Sequence, residues 1–374
     1  MTANPRIRPP FRADHVGSLL RPKKLLEARE KWKAGQLSRE GLATLEDAAI
    51  LEAVAMQEAV GLKSVTDGEF RRDDWYLDFI FSLEGIERGS ETFPIPFSND
   101  EHFVATRIDV KGRVRCPPGG VMCNHYAFLH DVAAVTAKIT IPAPSMLRNL
   151  FVESTAISSR AYPDPEEFWI DLGQAYNDVL KALASAGCRY LQLDDVNTCL
   201  LCNDDLREMN RKSGKDPEAL LDQFIRANNA AIVNRPSDMA ITTHMCRGNY
   251  RSEWCSSGSY DAVAEKYFNG MNIDGFFLEY DSDRAGDFAP LRFLPKGKFA
   301  VLGLITSKTP QLESRDDLKR RIDEAARYAP LEQLCLSPQC GFASTHQGNR
   351  LTEDEQRRKL ALVVEVAEEV WGNS

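Results

Sequence analysis

The sequence predicts an α/β fold of the (β/α)8 TIM-barrel class, and three observations carry that prediction. Eight short β-type runs end near Ser18, Glu69, Pro142, Asp194, His244, Glu279, Ser307 and Cys340. Most neighbouring runs are separated by a stretch with helical spacing of apolar residues, and alternating strands and helices build a parallel sheet. The chain has 374 residues, a length that decorated barrels reach as one unit, and no Gly-x-Gly-x-x-Gly follows the first run, so a dinucleotide-binding sheet has little support.

In chain order, residues 1–10 read as a disordered lead-in and 11–374 as a single barrel domain. Phe11-Arg-Ala-Asp-His-Val-Gly-Ser18 is extended, and Arg21-Pro22 opens a helix, because proline suits a first helical turn. Leu42, Leu45, Ala49, Met56 and Val60 share a face of a second helix over about 38–60, which Gly61 stops. Lys63-Ser-Val-Thr66 is the next strand, running into Asp67-Gly-Glu69, with a helix expected over 73–83. The rhythm breaks over about 86–136, read as a β-hairpin insertion after the second βα unit, with Lys111-Gly112 as its turn. It resumes at Ala137-Lys-Ile-Thr-Ile141. Asp164-Pro165 caps a long helix that ends before Gly187, and Arg189-Tyr-Leu-Gln-Leu193 stops at Asp194-Asp195. A helix near 216–233 leads to Ala240-Ile-Thr-Thr243, and one near 259–268 leads to Asp274-Gly-Phe-Phe-Leu278 and Glu279. Phe299-Ala-Val-Leu-Gly-Leu-Ile305, a helix from Ser314 and Leu334-Cys-Leu336 follow. Thr352-x-x-Glu355 is a capping box for the last helix.

Composition narrows the function classes. Hydrophobic residues make up 43% of the chain, but no apolar run approaches eighteen residues, so no membrane span is expected. The net charge of -9 is spread along the chain, which argues against nucleic acid as the main partner. Nine scattered cysteines and no apolar leader point to a reducing, cytoplasmic setting. Cys199-Leu-Leu-Cys202 is a C-x-x-C pair without a thioredoxin-like context, and packing is the favoured reading.

The chemistry is expected at the strand ends, which converge on one face of a barrel. His244 and Cys246, two apart in an extended segment, project to the same side. With Glu279 and Cys340 from other strand ends they make a ligand set suited to Zn2+, a borderline-soft ion that takes N and S donors. The set is dispersed around the barrel, unlike the closely spaced pairs of structural zinc sites, and so favours a site open to substrate. Carboxylates at Glu69, Asp194 and Asp195 follow apolar strands, where an unpaired charge is costly. His125, His130 and His346 are read as surface or loop residues, and His15 is left without a role.

These residues resemble a known family. His15-Val-Gly-Ser18, Thr66-Asp-Gly-Glu69, Gln192-Leu-Asp-Asp195, Thr243-His-Met-Cys246, Gly303-Leu-Ile305 and Pro338-Gln-Cys-Gly341 are similar, in order, to the catalytic C-terminal half of cobalamin-independent methionine synthase and its short single-barrel relatives. The resemblance runs from about Ala13 to the end. It implies a 5-methyltetrahydropteroyltriglutamate–homocysteine S-methyltransferase-like enzyme, with zinc on His244, Cys246, Glu279 and Cys340 and the zinc-bound thiolate as nucleophile. It implies that Ser18, Glu69 and Asp194 hold an amino-acid thiol. It leaves room for a homo-oligomer.

Three departures bear on the methyl donor. The N-terminal barrel of the long enzymes is absent from this sequence, and Ser145-Met-Leu-Arg-Asn149 carries no tryptophan where the family sets one against the pterin. The family's Val-His-Ser-Pro appears as Ser307-Lys-Thr-Pro310, which puts Lys308 where a histidine would protonate the leaving group, so Lys308 joins Asp194 as a catalytic candidate. A folate or a corrinoid-borne methyl group are both open as donor. The alternatives are a zinc-dependent thiol alkyltransferase of the epoxide:coenzyme M type and a non-catalytic zinc- or thiol-binding barrel.

Overall fold

A computed structural model of the chain describes residues 8–148 and 155–372. Most of the expected lead-in, and Asn149, lie outside the described residues. The strands are β1 (Ser64–Val65), β2 (Glu84–Pro96), β3 (His102–Arg115), β4 (Thr136–Ala137), β5 (Ile139–Pro142), β6 (Thr155–Ile157), β7 (Tyr190–Asp194), β8 (Ala240–Met245), β9 (Gly275–Glu279), β10 (Phe299–Ile305) and β11 (Leu334–Pro338). The helices are α1 (Lys23–Lys33), α2 (Arg39–Ala59), α3 (Leu77–Ile80), α4 (Cys123–Val132), α5 (Pro165–Ser185), α6 (Val196–Leu200), α7 (Asp204–Lys212), α8 (Pro217–Ala231), α9 (Ala264–Gly270), α10 (Arg315–Ala325) and α11 (Glu353–Trp371).

The expected α/β architecture with a parallel sheet is present. A continuous parallel ladder runs β11-β10-β9-β8-β7-β5. Two further segments are joined differently. Ala13 bridges in parallel to Leu336 of β11, and β1 pairs in parallel with β4, next in chain to β5. Between the first segment and β1 there is no ladder among the described residues. Thr66 Oγ1 donates to Gly17 O at 2.6 Å, Leu19 N–H to Gly68 O at 3.1 Å and Ser64 Oγ to Asp14 Oδ1 at 3.0 Å. At that seam the first segment and β1 are joined by side chains and one backbone bond.

Alternate strand residues take opposite sides, as the period of two requires. Leu191, Leu193, Ile241, Phe276, Leu278, Leu302 and Leu336 belong to the main core, which the helices share. Val16, Phe277, Val301 and Cys335 form a separate buried cluster. Beside it lies a polar knot: Lys138 Nζ is 3.4 Å from Asp14 Oδ1 and 4.0 Å from the Phe277 ring centre, and Tyr190 donates to Asp14 Oδ2 at 2.8 Å. Continuing the parity of Phe277 and Tyr190 along their strands reaches Glu279 and Asp194, the last residues of β9 and β7.

Caps read from sequence hold the helices. Ser38, Asp164 and Ser314 accept from Gly41, Glu166 and Asp317 N–H, and the Thr352/Glu355 capping box is complete. Other local expectations need correction. The buried face of α2 is Leu42, Glu46, Ala49, Ile50, Ala53, Val54 and Gln57, while Leu45 is 42% exposed. Glu46 takes the inward place because Arg29 and Arg39 meet it at 3.0 and 2.9 Å. The helix expected over 73–83 shrinks to α3, since Asp74 Oδ1 accepts from Tyr76 and Leu77 N–H and ties down the turn before it. The insertion is a hairpin, but Lys111 and Gly112 lie within β3; the chain turns over 97–101, where Asn99 and Asp100 are left-handed. β6 joins this hairpin as a third strand.

His15 lies fully buried beside Lys138, and its Nε2 has no partner. Burial, aided by the Lys138 cation and opposed by Asp14, pushes its pKa down to about 4. The folded state therefore binds this proton less readily than the unfolded chain. At pH above 6.5 the group is neutral in both states and has no effect; as pH falls from about 6.5 to 4 the unfolded chain is protonated first and stability drops, by about 3 kcal/mol in full. Urea midpoints measured from pH 7 to 4 should show this acid limb, and His15→Gln should flatten it.

Candidate active site

Six of the residues singled out in the sequence line one cavity: Ser18, Glu69, Asp194, His244, Cys246 and Cys340. One ligand atom from each of His244, Cys246 and Cys340 lies within 4.8 Å of the others, and all three residues are buried. The two sulfurs are 3.9 Å apart. Two thiolates about 2.3 Å from one tetrahedral ion stand about 3.8 Å apart, so this spacing fits a shared ion. Both ring nitrogens of His244 are buried without a hydrogen-bond partner, which fits a ligand nitrogen waiting for a metal. The hydrogen bond with Cys246 and the nearby His244 hold the Cys340 thiol well below its ordinary pKa, against the effect of burial.

Glu279 is not a member of that three-residue cluster. It is fully buried at the end of β9; its Oε2 accepts from Arg247 N–H at 2.8 Å and its Oε1 from Arg284 Nη2 at 3.0 Å. Burial disfavours its charge, but Lys308, Arg247 and Arg284 outweigh that and hold it below the usual carboxylate range. Arg247 is itself locked by Gly258 O and stacked 4.2 Å from the Tyr260 ring centre. Neither arginine was singled out from the sequence; Arg247 directly follows Cys246, but its partners are remote in the chain.

The substrate carboxylates are fixed from behind. Glu69 has φ +62°, a left-handed conformation that costs a non-glycine residue about 1–2 kcal/mol and is kept where the surroundings dictate it. Arg21 Nη2 clamps its carbonyl at 3.1 Å, and Thr140 Oγ1 donates to Oε1 at 2.8 Å. Oε2 is buried without a partner. Asp194 accepts from Gln192 Nε2 at 2.7 Å, and burial pushes its pKa up to about 7. Burial raises the pKa of Glu69 too, and Arg72, whose Nη1 lies 3.7 Å from Glu69 Oε1, offsets it only in part. Ser18 reaches the cavity because residue 341 is glycine: a Cβ there would sit 1.9 Å from Ser18 Oγ.

Two expected candidates are placed elsewhere. Asp195 turns away from the cavity and accepts from Ser145, Thr198, Asn228 and Tyr267, which explains its burial as structural. Lys308 does not line the cavity. Its ammonium donates to Gly248 O at 3.1 Å, Asn249 Oδ1 at 3.0 Å and Glu253 O at 3.3 Å, and three N–H groups are thereby spent. These bonds tie the Lys308 side chain to the loop after β8. Cys199 and Cys202 are buried free thiols in and after α6. The hairpin, read from the sequence as an insertion that packs over one end of the fold, contributes Ile95, Phe97 and Phe103 to the cavity lining.

A parallel α/β fold whose strand ends gather two thiols, an imidazole and two buried carboxylates has the makings of a thiol-handling transferase. The family model described as "Cobalamin-independent synthase, Catalytic domain" matches residues 11–369, and the chain belongs to that family; it is a methyltransferase. It is 49% identical over 364 residues to the protein named "Uncharacterized protein YxjH" of Bacillus subtilis (strain 168), covering 97% of this chain and 95% of that one. A crystal structure of a putative vitamin-B12 independent methionine synthase from Listeria monocytogenes is 38% identical, with a TM-score of 0.78, covering 98% of this chain and 100% of that chain. The 5-methyltetrahydropteroyltriglutamate–homocysteine methyltransferase of Bacillus velezensis (strain DSM 23117 / BGSC 10A6 / LMG 26770 / FZB42) is 22% identical over 340 residues, 89% of this chain and 40% of that protein.

Proposed function

We propose that the chain transfers a methyl group to the thiol of homocysteine, giving methionine, with zinc held by His244, Cys246, Cys340 and Glu279. The observation that carries this reading is that the His/Cys/Cys cluster and the pair Glu69 and Asp194 line the same cavity. Zinc, when bound, lowers the pKa of a substrate thiol so that it is a thiolate at neutral pH. Glu279 is proposed as the fourth donor because each carboxylate oxygen keeps a lone pair after accepting from an arginine, and ligating carboxylates are commonly hydrogen-bonded in this way.

The rest of the work falls to the protein's own groups. Glu69 Oε2 and Asp194 accept N–H bonds from the substrate ammonium, which relieves the charge that burial makes unfavourable. Ser18 Oγ donates to the substrate carboxylate. Lys308 is a positioning residue: it fixes the loop carrying Gly248 and Asn249, and Asn249 Nδ2 in turn holds Gly341 O at 2.8 Å beside Cys340. Residues 11–372 act as one catalytic unit with the hairpin as its cover. Nine free cysteines suit a reducing, cytoplasmic setting.

Exchanging the thiol tests this reading. Calorimetry with homocysteine should give saturable binding, and coenzyme M, which carries a sulfonate and no ammonium, should not bind, because two carboxylates repel it. Binding of the sulfonate thiol without homocysteine would transfer the assignment to the alkyltransferase class.

A further inference from the structure

Lys308 begins a chain of hydrogen bonds that ends on the metal-type cluster. Lys308 and Asn249 are both buried, and Lys308 Nζ donates to Asn249 Oδ1 at 3.0 Å. An ammonium has only donors to offer, so the oxygen of the Asn249 amide faces it and the nitrogen faces away. Both amide N–H groups are then committed: Nδ2 donates to Gly341 O at 2.8 Å and to Ser344 Oγ at 3.2 Å. The cation thus settles an orientation that an asparagine among neutral groups could reverse.

The next step follows from Ser344. Its hydroxyl oxygen accepts from Asn249, and a hydroxyl has one hydrogen to give. Cys340 Sγ stands 3.9 Å from Ser344 Oγ, and sulfur, with its larger radius, accepts at longer range than oxygen. A Cys340 thiol could play either part in that contact. A metal-ligating cysteine is a thiolate, which has no hydrogen and can only accept. The direction of every bond is then fixed, from ammonium to amide to hydroxyl to thiolate. Asn249, Gly341 and Ser344 line the same cavity as Cys340.

We infer that Ser344 is a positioning residue that donates a hydrogen bond to the Cys340 thiolate of the metal centre, its hydrogen aimed there by Asn249 and Lys308. This rests on the zinc reading above and adds what sets the electron density on one of its ligands. A hydrogen bond to a ligating sulfur withdraws negative charge from it and steadies the thiolate in a buried place. Outer partners of this kind are worth about 10- to 100-fold in metal affinity. They act on the metal through the ligand, without touching it.

The experiment uses the full chain loaded with zinc, and with Co2+ as a coloured stand-in whose thiolate-to-metal charge-transfer band reports the electron density on the sulfurs. Ser344→Ala should move that band to longer wavelength and weaken zinc binding, measured by chelator competition, about 10- to 100-fold. Ser344→Thr keeps the hydroxyl and should restore both. Lys308→Met should shift the band in the parent but add nothing in the Ser344→Ala background, because its effect passes through the hydroxyl. Equal shifts in both backgrounds would overturn the chain from Lys308 to the sulfur. A parent that binds both ions, with band and affinity unchanged in Ser344→Ala, would overturn this inference alone. So would weaker homocysteine binding in Ser344→Ala with both metal readouts unchanged, which would place Ser344 on the substrate. A parent that takes up neither ion would overturn the zinc reading and this inference together, so the two failures are distinct.

Discussion

Replacing Asp194 by asparagine is expected to lower kcat/KM for homocysteine about 10- to 150-fold, the loss of one hydrogen bond to a charged group, about 1.5–3 kcal/mol. The substitution keeps an oxygen for Gln192 Nε2, which donates to Asp194 Oδ1 at 2.7 Å, so the local geometry has no reason to change. What is lost is the negative charge that meets the substrate ammonium. Glu69→Gln should act the same way, since its Oε1 bond from Thr140 at 2.8 Å survives while the buried, unpartnered Oε2 loses its charge. Steady-state rates with homocysteine and with its des-amino analogue mercaptobutyrate separate this from a general defect. The parent protein should favour homocysteine, and each variant should lose that preference through homocysteine alone. Equal losses with both thiols would show that the carboxylates do not read the ammonium.

Lys138→Met is the largest expected loss of stability. Lys138 is fully buried, 3.4 Å from an equally buried Asp14, and donates to His15 O at 2.5 Å. Removing its charge leaves Asp14 with neutral donors only, from Ser64, Tyr190 and the backbone. Breaking one side of a buried pair costs about 3–5 kcal/mol, because the remaining charge stays desolvated. Chemical denaturation should show that loss, and Asp14→Asn combined with Lys138→Met should lose less than the two single changes added together. A simple sum would mean that the two groups do not compensate each other.

How much of this was legible in the sequence depended on whether the determining contact was local. Strand ends were legible because the period of two puts Asp194, His244 and Glu279 at the last inward position of their strands. Caps at Ser38, Asp164, Ser314 and Thr352 were legible because their partners lie two or three residues away. The hairpin turn was misplaced because Lys-Gly is a turn signal, whereas here Gly112 packs within the strand pair against Gly85, at a shift of register. Ser98-Asn99-Asp100 was the signal to weigh. Asp194 and Asp195 look alike in sequence, yet one faces the cavity and the other caps α6. Lys308 could be seen as a substitution, but its role depends on acceptors 55 to 60 residues away. Arg284 was missed although its carboxylate partners, Glu279 and Asp281, lie only five and three residues away.

The account stands most directly on metal content. Protein purified without chelator should carry about one zinc per chain, and Cys246→Ala should carry little, because that change removes one of the two sulfurs 3.9 Å apart. Thermal unfolding of both proteins would confirm that the variant is folded. A parent chain that is metal-free and also fails to take up added zinc would contradict the mechanism at its root.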